Sequence, residues 1–235
     1  MFGGNFFMKK GYVKCGAAEI YYEIYGSGIP IVFLHGNGED MTYFKYQKDA
    51  LKDKYKLVFI DSRGHGKSTF GSEKLTLDLM SNDVIHVLEE LNLDEVNLVG
   101  FSDGGNLGII MALKKPSLFK RMILVGANLK PEDLILSERI QIDKEIKLEE
   151  DYRKKEILEL MVNEPNIEDI ELSKIDIPTL VMAGEDDLIS EECTVRMAHN
   201  LRNSKLMIIS GGDHFFIDKK PDIFNDALIE FINIS

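Results

Sequence analysis

The sequence predicts an α/β fold, a mostly parallel central sheet flanked by helices with a small helical cap insertion. Three observations predict it. Short runs rich in Val, Ile, Leu and Phe end in Gly or Asp; these runs alternate with amphipathic stretches of helical spacing; and the runs are apolar throughout, as parallel strands buried on both faces should be. The 235 residues are 44% hydrophobic and 29% charged, with 19 Gly and 6 Pro, a composition that excludes a disordered, collagen-like or coiled-coil chain and suffices for one sizeable core.

Taken in order, residues 12–25 hold two strand-like stretches broken at Gly16 and Ala17, expected to form an antiparallel hairpin at one edge of the sheet. Buried strands are then expected in IVFLHG (31–36), KLVFIDSRG (56–64), VNLVGFS (96–102), RMILVGAN (121–128), TLVMAGEDD (179–187) and KLMIISGGDH (205–214). Helices fit between them at 42–52, 76–92, 104–114, 191–202 and 221–233; in the second, Leu79, Val84, Val87, Leu88 and Leu91 share one side. Residues 129–176 interrupt the alternation. They contain no Gly, one aromatic (Tyr152) and 15 acids against 8 bases, and Ile157, Leu160 and Met161 keep helical spacing. The expected organisation is a core of residues 1–128 and 177–235, with 129–176 as a helical cap over the carboxyl ends of the strands, where open α/β sheets place their ligands. Met8 precedes two lysines and has the look of a start, so residues 1–7 are expected to be a tail with no role in the fold.

Forty acidic residues against 28 basic ones give a net charge of -12, which repels phosphate backbones and anionic headgroups, so neither nucleic acid nor a membrane is an expected partner. Two cysteines, Cys15 and Cys193, are too few for a disulfide framework and lie in no metal-ligand spacing. The amino terminus has no signal-peptide run, and no segment has the apolar length of a membrane span. A cytoplasmic protein, monomer or homodimer, is the expectation.

Chemistry concentrates in a few loops. Gly100-Phe101-Ser102-Asp103-Gly104 matches G-x-S-x-G between an apolar strand and a helix of small residues, the context a nucleophile elbow requires. A serine hydroxyl needs a general base, and that base needs an orienting group. Of the five histidines, His86 and His199 fall in helices, His65 in a charged Gly-rich loop, and His35 in an earlier strand-ending loop. His214, in GGDHFF after the last strand, is the expected base. The acid should lie between nucleophile and base in chain order, where Glu185, Asp186 and Asp187 compete; reach back over the strand end favours Asp187 over Asp186. His35-Gly36-Asn37-Gly38 suits an oxyanion loop, with the backbone N–H groups of Asn37 and Asp103 as the two donors.

HGNG, DSRGHGKS, GFSDGG, AGEDD and GGDHFF, spanning residues 30–216, occur in the order found in α/β-hydrolase fold serine hydrolases, and the chain resembles that family. The resemblance implies Asp187 as the acid, three residues after the strand-closing Gly184, and implies the same two oxyanion donors. GFSDGG with RMILVGAN resembles more closely the biphenyl-hydrolase-like group, which includes amino-acid ester hydrolases; there the Asp after the nucleophile, here Asp103, also recognises a substrate amino group. The expected activity is that of a serine carboxylesterase: Ser102 attacks a small ester, His214 moves the proton, Asp187 holds the imidazole, and neither metal nor organic cofactor is needed. Candidate lining residues are Asp103, Phe101, Asn128 and Phe215. A serine at the elbow disfavours dehalogenase and epoxide-hydrolase chemistry, which uses an aspartate there. The rival readings are a carbon-carbon bond hydrolase, an enol-lactonase, and a slow-turnover ligand receptor on the same scaffold.

Overall fold

The computed structural model describes residues 8–234, so the expected tail at 1–7 lies outside the described residues. Among them, eight strands form one sheet: β1 (Met8–Cys15), β2 (Ala18–Tyr25), β3 (Pro30–Leu34), β4 (Lys56–Ile60), β5 (Val96–Phe101), β6 (Phe119–Val125), β7 (Thr179–Asp186) and β8 (Ser204–Asp213). Their order is β1-β2-β4-β3-β5-β6-β7-β8. The hairpin β1–β2 pairs antiparallel, β2 is antiparallel to β4, and every later pairing is parallel. The chain order reverses at β3, with β4 on one side and β5 on the other. Loops leaving β3 and β5 therefore diverge and open a crevice between them. Among the described residues, no helix is long and apolar enough to cross a membrane.

Strand alternation divides the core in two. Val32 and Leu34 of β3 face a cluster shared with α2 (Leu77–Glu90), α3 (Asp103–Lys114) and α7 (Glu191–Asn200), whereas Ile31 and Phe33 face α1 (Lys45–Leu51), α8 (Phe216–Lys219) and α9 (Pro221–Ile232) across the sheet. Burial on both faces explains why β3 to β7 read as unbroken apolar runs. One expectation is corrected here. The 205–214 run forms the outer strand, and Leu206 and Met207 remain 42% and 36% exposed, so β8 is not buried on both faces.

Residues 129–176 carry a 3₁₀ turn (Pro131–Asp133), α4 (Leu136–Leu148), α5 (Tyr152–Asn163) and α6 (Asp169–Leu172). Two of the segment's many acids brace the start of α2. Glu156 and Glu164 accept hydrogen bonds from the backbone N–H groups of Leu75 and Leu77 at 2.6 and 2.7 Å, receiving donors at the start of α2 that have no intrahelical acceptor. The other end of the segment is tied to the loop after β7, where Ile135 N donates to Leu188 O at 2.9 Å and Ser190 N to Asp133 O at 2.8 Å.

The DSRGHGKS loop is structural. Asp61 accepts from the backbone N–H groups of Met41 and Lys67, joining the loops after β3 and β4. Arg63, 1% exposed, forks onto Asp83 of α2 through Nε (2.6 Å) and Nη2 (2.8 Å), and also donates to the Phe70 and Cys15 carbonyls and to Glu73. Removing one member of such a pair leaves a buried charge uncompensated, so Asp83→Ala is expected to cost about 3 to 5 kcal/mol. The companion Arg63→Met/Asp83→Leu, which buries no charge, should lose less. Urea unfolding of both variants checks this; a loss below about 1 kcal/mol in Asp83→Ala, the ordinary worth of an exposed pair, would refute it.

Candidate active site

Ser102 stands between the end of β5 and the first turn of α3, with φ 52° and ψ -120°. A non-glycine residue in that region is strained and persists only where its surroundings over-determine it. Here they do. A Cβ on Gly100 would fall 2.3 Å from the Gly104 carbonyl oxygen, and one on Gly104 would fall 2.1 Å from the Leu34 carbonyl oxygen, so only glycine permits β5, α3 and β3 to approach this closely. Ser102 N donates to Val125 O at 2.8 Å, fixing the turn to β6. The first N–H groups of α3, Asp103 among them, have no intrahelical acceptor and present the positive end of the helix dipole beside Ser102.

His214 follows β8, is 5% exposed, and its Nδ1 donates to Asp187 Oδ1 at 2.6 Å. Asp187 is itself held: Oδ1 also accepts from Ile189 N at 3.0 Å, and Oδ2 from Gly184 N at 3.1 Å. The other two acids of the cluster lie elsewhere. Glu185 accepts from Gly211 N and Ser210 Oγ, and Asp186 is exposed at the end of β7. Among the other histidines, His35 and His65 are buried, and burial drives both down to about 4, so both are neutral near pH 7. His35 donates from Nδ1 to Gly36 O at 2.8 Å and accepts from Ser62 N at Nε2, a bracing role. His86 lies 3.9 Å from Glu89 on the half-exposed face of α2, and His199 is in the last turn of α7.

Ser102 and His214 line one cavity of about 50 Å³, together with Asp103, Asn128, Glu138, Met161 and Glu164. An open groove of about 690 Å³ adjoins it, lined by Asn37 and by Leu148, Ile157 and Leu158 of α4 and α5; Met161 belongs to both walls. Of the expected lining residues, Asp103 and Asn128 are in the wall of the smaller cavity. Phe101 and Phe215 instead flank the His214 ring, with centroids 4.9 and 5.2 Å away. Phe101 is buried against Tyr43, and Phe215 is exposed.

Four amide and carboxyl side chains form a relay that the sequence reading did not foresee. Asn37 Nδ2 donates to Asp103 Oδ2 and to the Ile157 carbonyl, each at 2.9 Å, tying the loop after β3 to the elbow and to α5. Asn106 Nδ2 donates to Asp103 Oδ1 (3.2 Å) and to Asn128 Oδ1 (2.8 Å), and Asn128 donates onward to Lys130 O. Asn106 was findable in principle, since a polar residue three positions after Asp103 shares its helix face. Burial of the Asp103 carboxyl raises it above the usual carboxylate range, and the donors Asn37 and Asn106 only partly oppose that.

The profile described as the α/β hydrolase fold matches residues 29–150 of the chain. A relative named carbamate hydrolase RutD, from Azorhizobium caulinodans, is 23% identical over 94% of this chain and 97% of its own. An esterase/lipase of Haemophilus influenzae is 27% identical over 86% of this chain and 83% of its own. Among solved structures, an esterase from Exiguobacterium antarcticum superposes with a TM-score of 0.84 at 23% identity, covering 96% of this chain and 100% of that one. The enol-lactonase from Burkholderia xenovorans does so with a TM-score of 0.83 at 18% identity, covering 95% and 100%, a likeness of fold alone. With more than half its length matched by the profile, the chain belongs to the α/β hydrolase fold family.

Proposed function

We propose that the protein is a serine hydrolase of small carboxylic esters, working through an acyl-enzyme in the cytoplasm, with residues 129–176 as its cap. One observation carries the reading: a strained serine at a helix start shares a cavity with a buried histidine whose far nitrogen is held 2.6 Å from a fixed carboxylate. In this reading Ser102 Oγ attacks the ester carbonyl carbon while His214 Nε2 takes its proton. The resulting oxyanion accepts from the backbone N–H groups of Asn37 and Asp103. Collapse returns the proton to the leaving alcohol, and a water molecule repeats the sequence to release the acid.

The walls also bear on the substrate. Asp103, Glu138 and Glu164 line the small cavity and no Lys or Arg is among the described residues lining it, which disfavours a carboxylate-bearing substrate of the kind carbon-carbon hydrolases and enol-lactonases take. An acyl group with an α-ammonium fits this field. Two of the roughly four lone-pair positions on the Asp103 carboxylate are used by Asn37 and Asn106, leaving the others for such a group. The test is a panel of p-nitrophenyl esters of graded acyl length alongside amino-acid esters, run to multiple turnovers; a stall near one equivalent of product would mark a receptor and sink the esterase reading.

For Asp103 the expected result is roughly a ten- to hundredfold preference in kcat/KM for phenylalanine ethyl ester over 3-phenylpropanoate ethyl ester, the worth of about 1.5 to 3 kcal/mol for a hydrogen bond to a charged group. Asp103→Asn should erase that preference while sparing the des-amino ester. An equal preference in both proteins would leave Asp103 as a backbone donor only.

A further inference from the structure

The reaction above makes no use of Glu39, a half-buried carboxyl that follows the loop 35–38 immediately. Its surroundings do not favour a charge. Asp40 and Asp218 add negative charge nearby, and the Tyr43 hydroxyl beside it is buried without a hydrogen-bond partner; burial pushes Glu39 up to about 7, with Gly36 N–H and His214 opposing the rise only in part. Lys45 of α1 is paired with Asp218 at 2.9 Å. A carboxyl kept in such a place breaks a local rule, which folds tolerate chiefly at functional sites.

What Glu39 holds is the peptide on either side of Gly36. Its Oε2 accepts from Gly36 N at 3.3 Å, and its own backbone N–H donates to Gly36 O, also at 3.3 Å. His35 Nδ1 donates to the same Gly36 oxygen at 2.8 Å. A trans peptide points its C=O and the following N–H in opposite directions, so fixing Gly36 O aims the N–H of Asn37 the other way. Gly36 lies directly against the elbow, where an added Cβ would come within 3.1 Å of Ser102 Cβ. Small rotations of this loop therefore translate into misalignment of a donor beside Ser102.

We propose that Glu39 is the positioning residue of the oxyanion loop, its carboxyl oxygen holding the Gly36 N–H, and with it the peptide that precedes Gly36, so that the Asn37 N–H stays aimed at the reacting oxygen. The inference rests on the proposed esterase reading. Because the oxyanion exists only in the transition state and the intermediate, the clamp acts on kcat and not on KM. Glu39→Ala should lower kcat for p-nitrophenyl acetate by about tenfold or more, part of the roughly 10² to 10³ lost when an oxyanion donor is removed outright, with KM within about twofold. Glu39→Gln keeps an acceptor oxygen at the same reach and should stay within about threefold of wild type. Glu39→Asp keeps the carboxyl group but is one methylene too short, so it should resemble Glu39→Ala.

The experiment measures kcat and KM for all four proteins beside labelling by a fluorophosphonate, with thermal melts as the check of folding. Absence of labelling at Ser102 in wild type would overturn the esterase reading itself. Labelling at Ser102 with Glu39→Ala within twofold of wild-type kcat would overturn the clamp alone, as would Glu39→Gln falling as far as Glu39→Ala. If Glu39→Ala does not fold, Glu39→Asp against Glu39→Gln decides the matter: equal kcat values refute the clamp, and a tenfold gap in favour of Gln supports it.

Discussion

Ser102→Ala is expected to fold as the wild type does and to lose about 10⁴ to 10⁶ in turnover of a p-nitrophenyl ester. The fold should survive because Ser102 is partly exposed at the cavity, its backbone N–H still reaches Val125 O, and alanine meets the same strained φ of 52° that serine does. The rate should collapse because the remaining groups have nothing to activate: His214 would be left to direct water, and the donors at Asn37 and Asp103 would stabilise only what water forms slowly. A small residual rate over the uncatalysed reaction is part of the expectation, since oxyanion stabilisation outlasts the nucleophile. Steady-state assays with circular dichroism as the folding check decide it. More than a tenth of wild-type hydrolysis in the variant would mean that Ser102 is not the nucleophile.

How much of this was legible in the sequence depended on whether the governing interaction is local. β3 to β7 announced themselves because burial on both faces demands an unbroken apolar run, and the same reasoning misled at β8, whose Leu206 and Met207 look identical in sequence but sit at an open edge. The elbow was legible because its glycines and serine fall within five residues of chain, even though one of the steric demands they answer, Gly104 against the Leu34 carbonyl oxygen, is long-range. By contrast, the acids of 129–176 could be counted but not assigned, since Glu156 and Glu164 meet their N–H partners 81 and 87 positions away. The Arg63–Asp83 pair and the Asn37–Asp103 bond are likewise long-range and leave no periodic trace. Glu39 was passed over for a different reason: a polar residue in a Gly-rich loop reads as solvated, and only its bond back to Gly36 distinguishes it.

The second large effect is expected at Asp187, the proposed orienting acid. Asp187→Asn should lower turnover by about 10⁴, whereas Asp186→Asn should leave it within about twofold. The carboxylate of Asp187 receives three hydrogens, two at Oδ1 from His214 and Ile189 and one at Oδ2 from Gly184. An ionised carboxylate is acceptor-only and can satisfy all three; an amide cannot. Whichever way the introduced amide were turned, its NH₂ would face a donor: either the Gly184 N–H, leaving a buried clash, or His214 Nδ1 and Ile189 N. In the second arrangement the imidazole relieves the conflict by moving its hydrogen to Nε2, the nitrogen that accepts the serine proton in the proposed reaction, and the proposed base is disabled with its position intact. Asp186 has no such duty, being exposed at the end of β7 opposite Asp213. Rates for the two variants on one ester, compared with wild type at the same pH, give the answer, and a larger loss in Asp186→Asn than in Asp187→Asn would transfer the orienting role to the neighbouring residue.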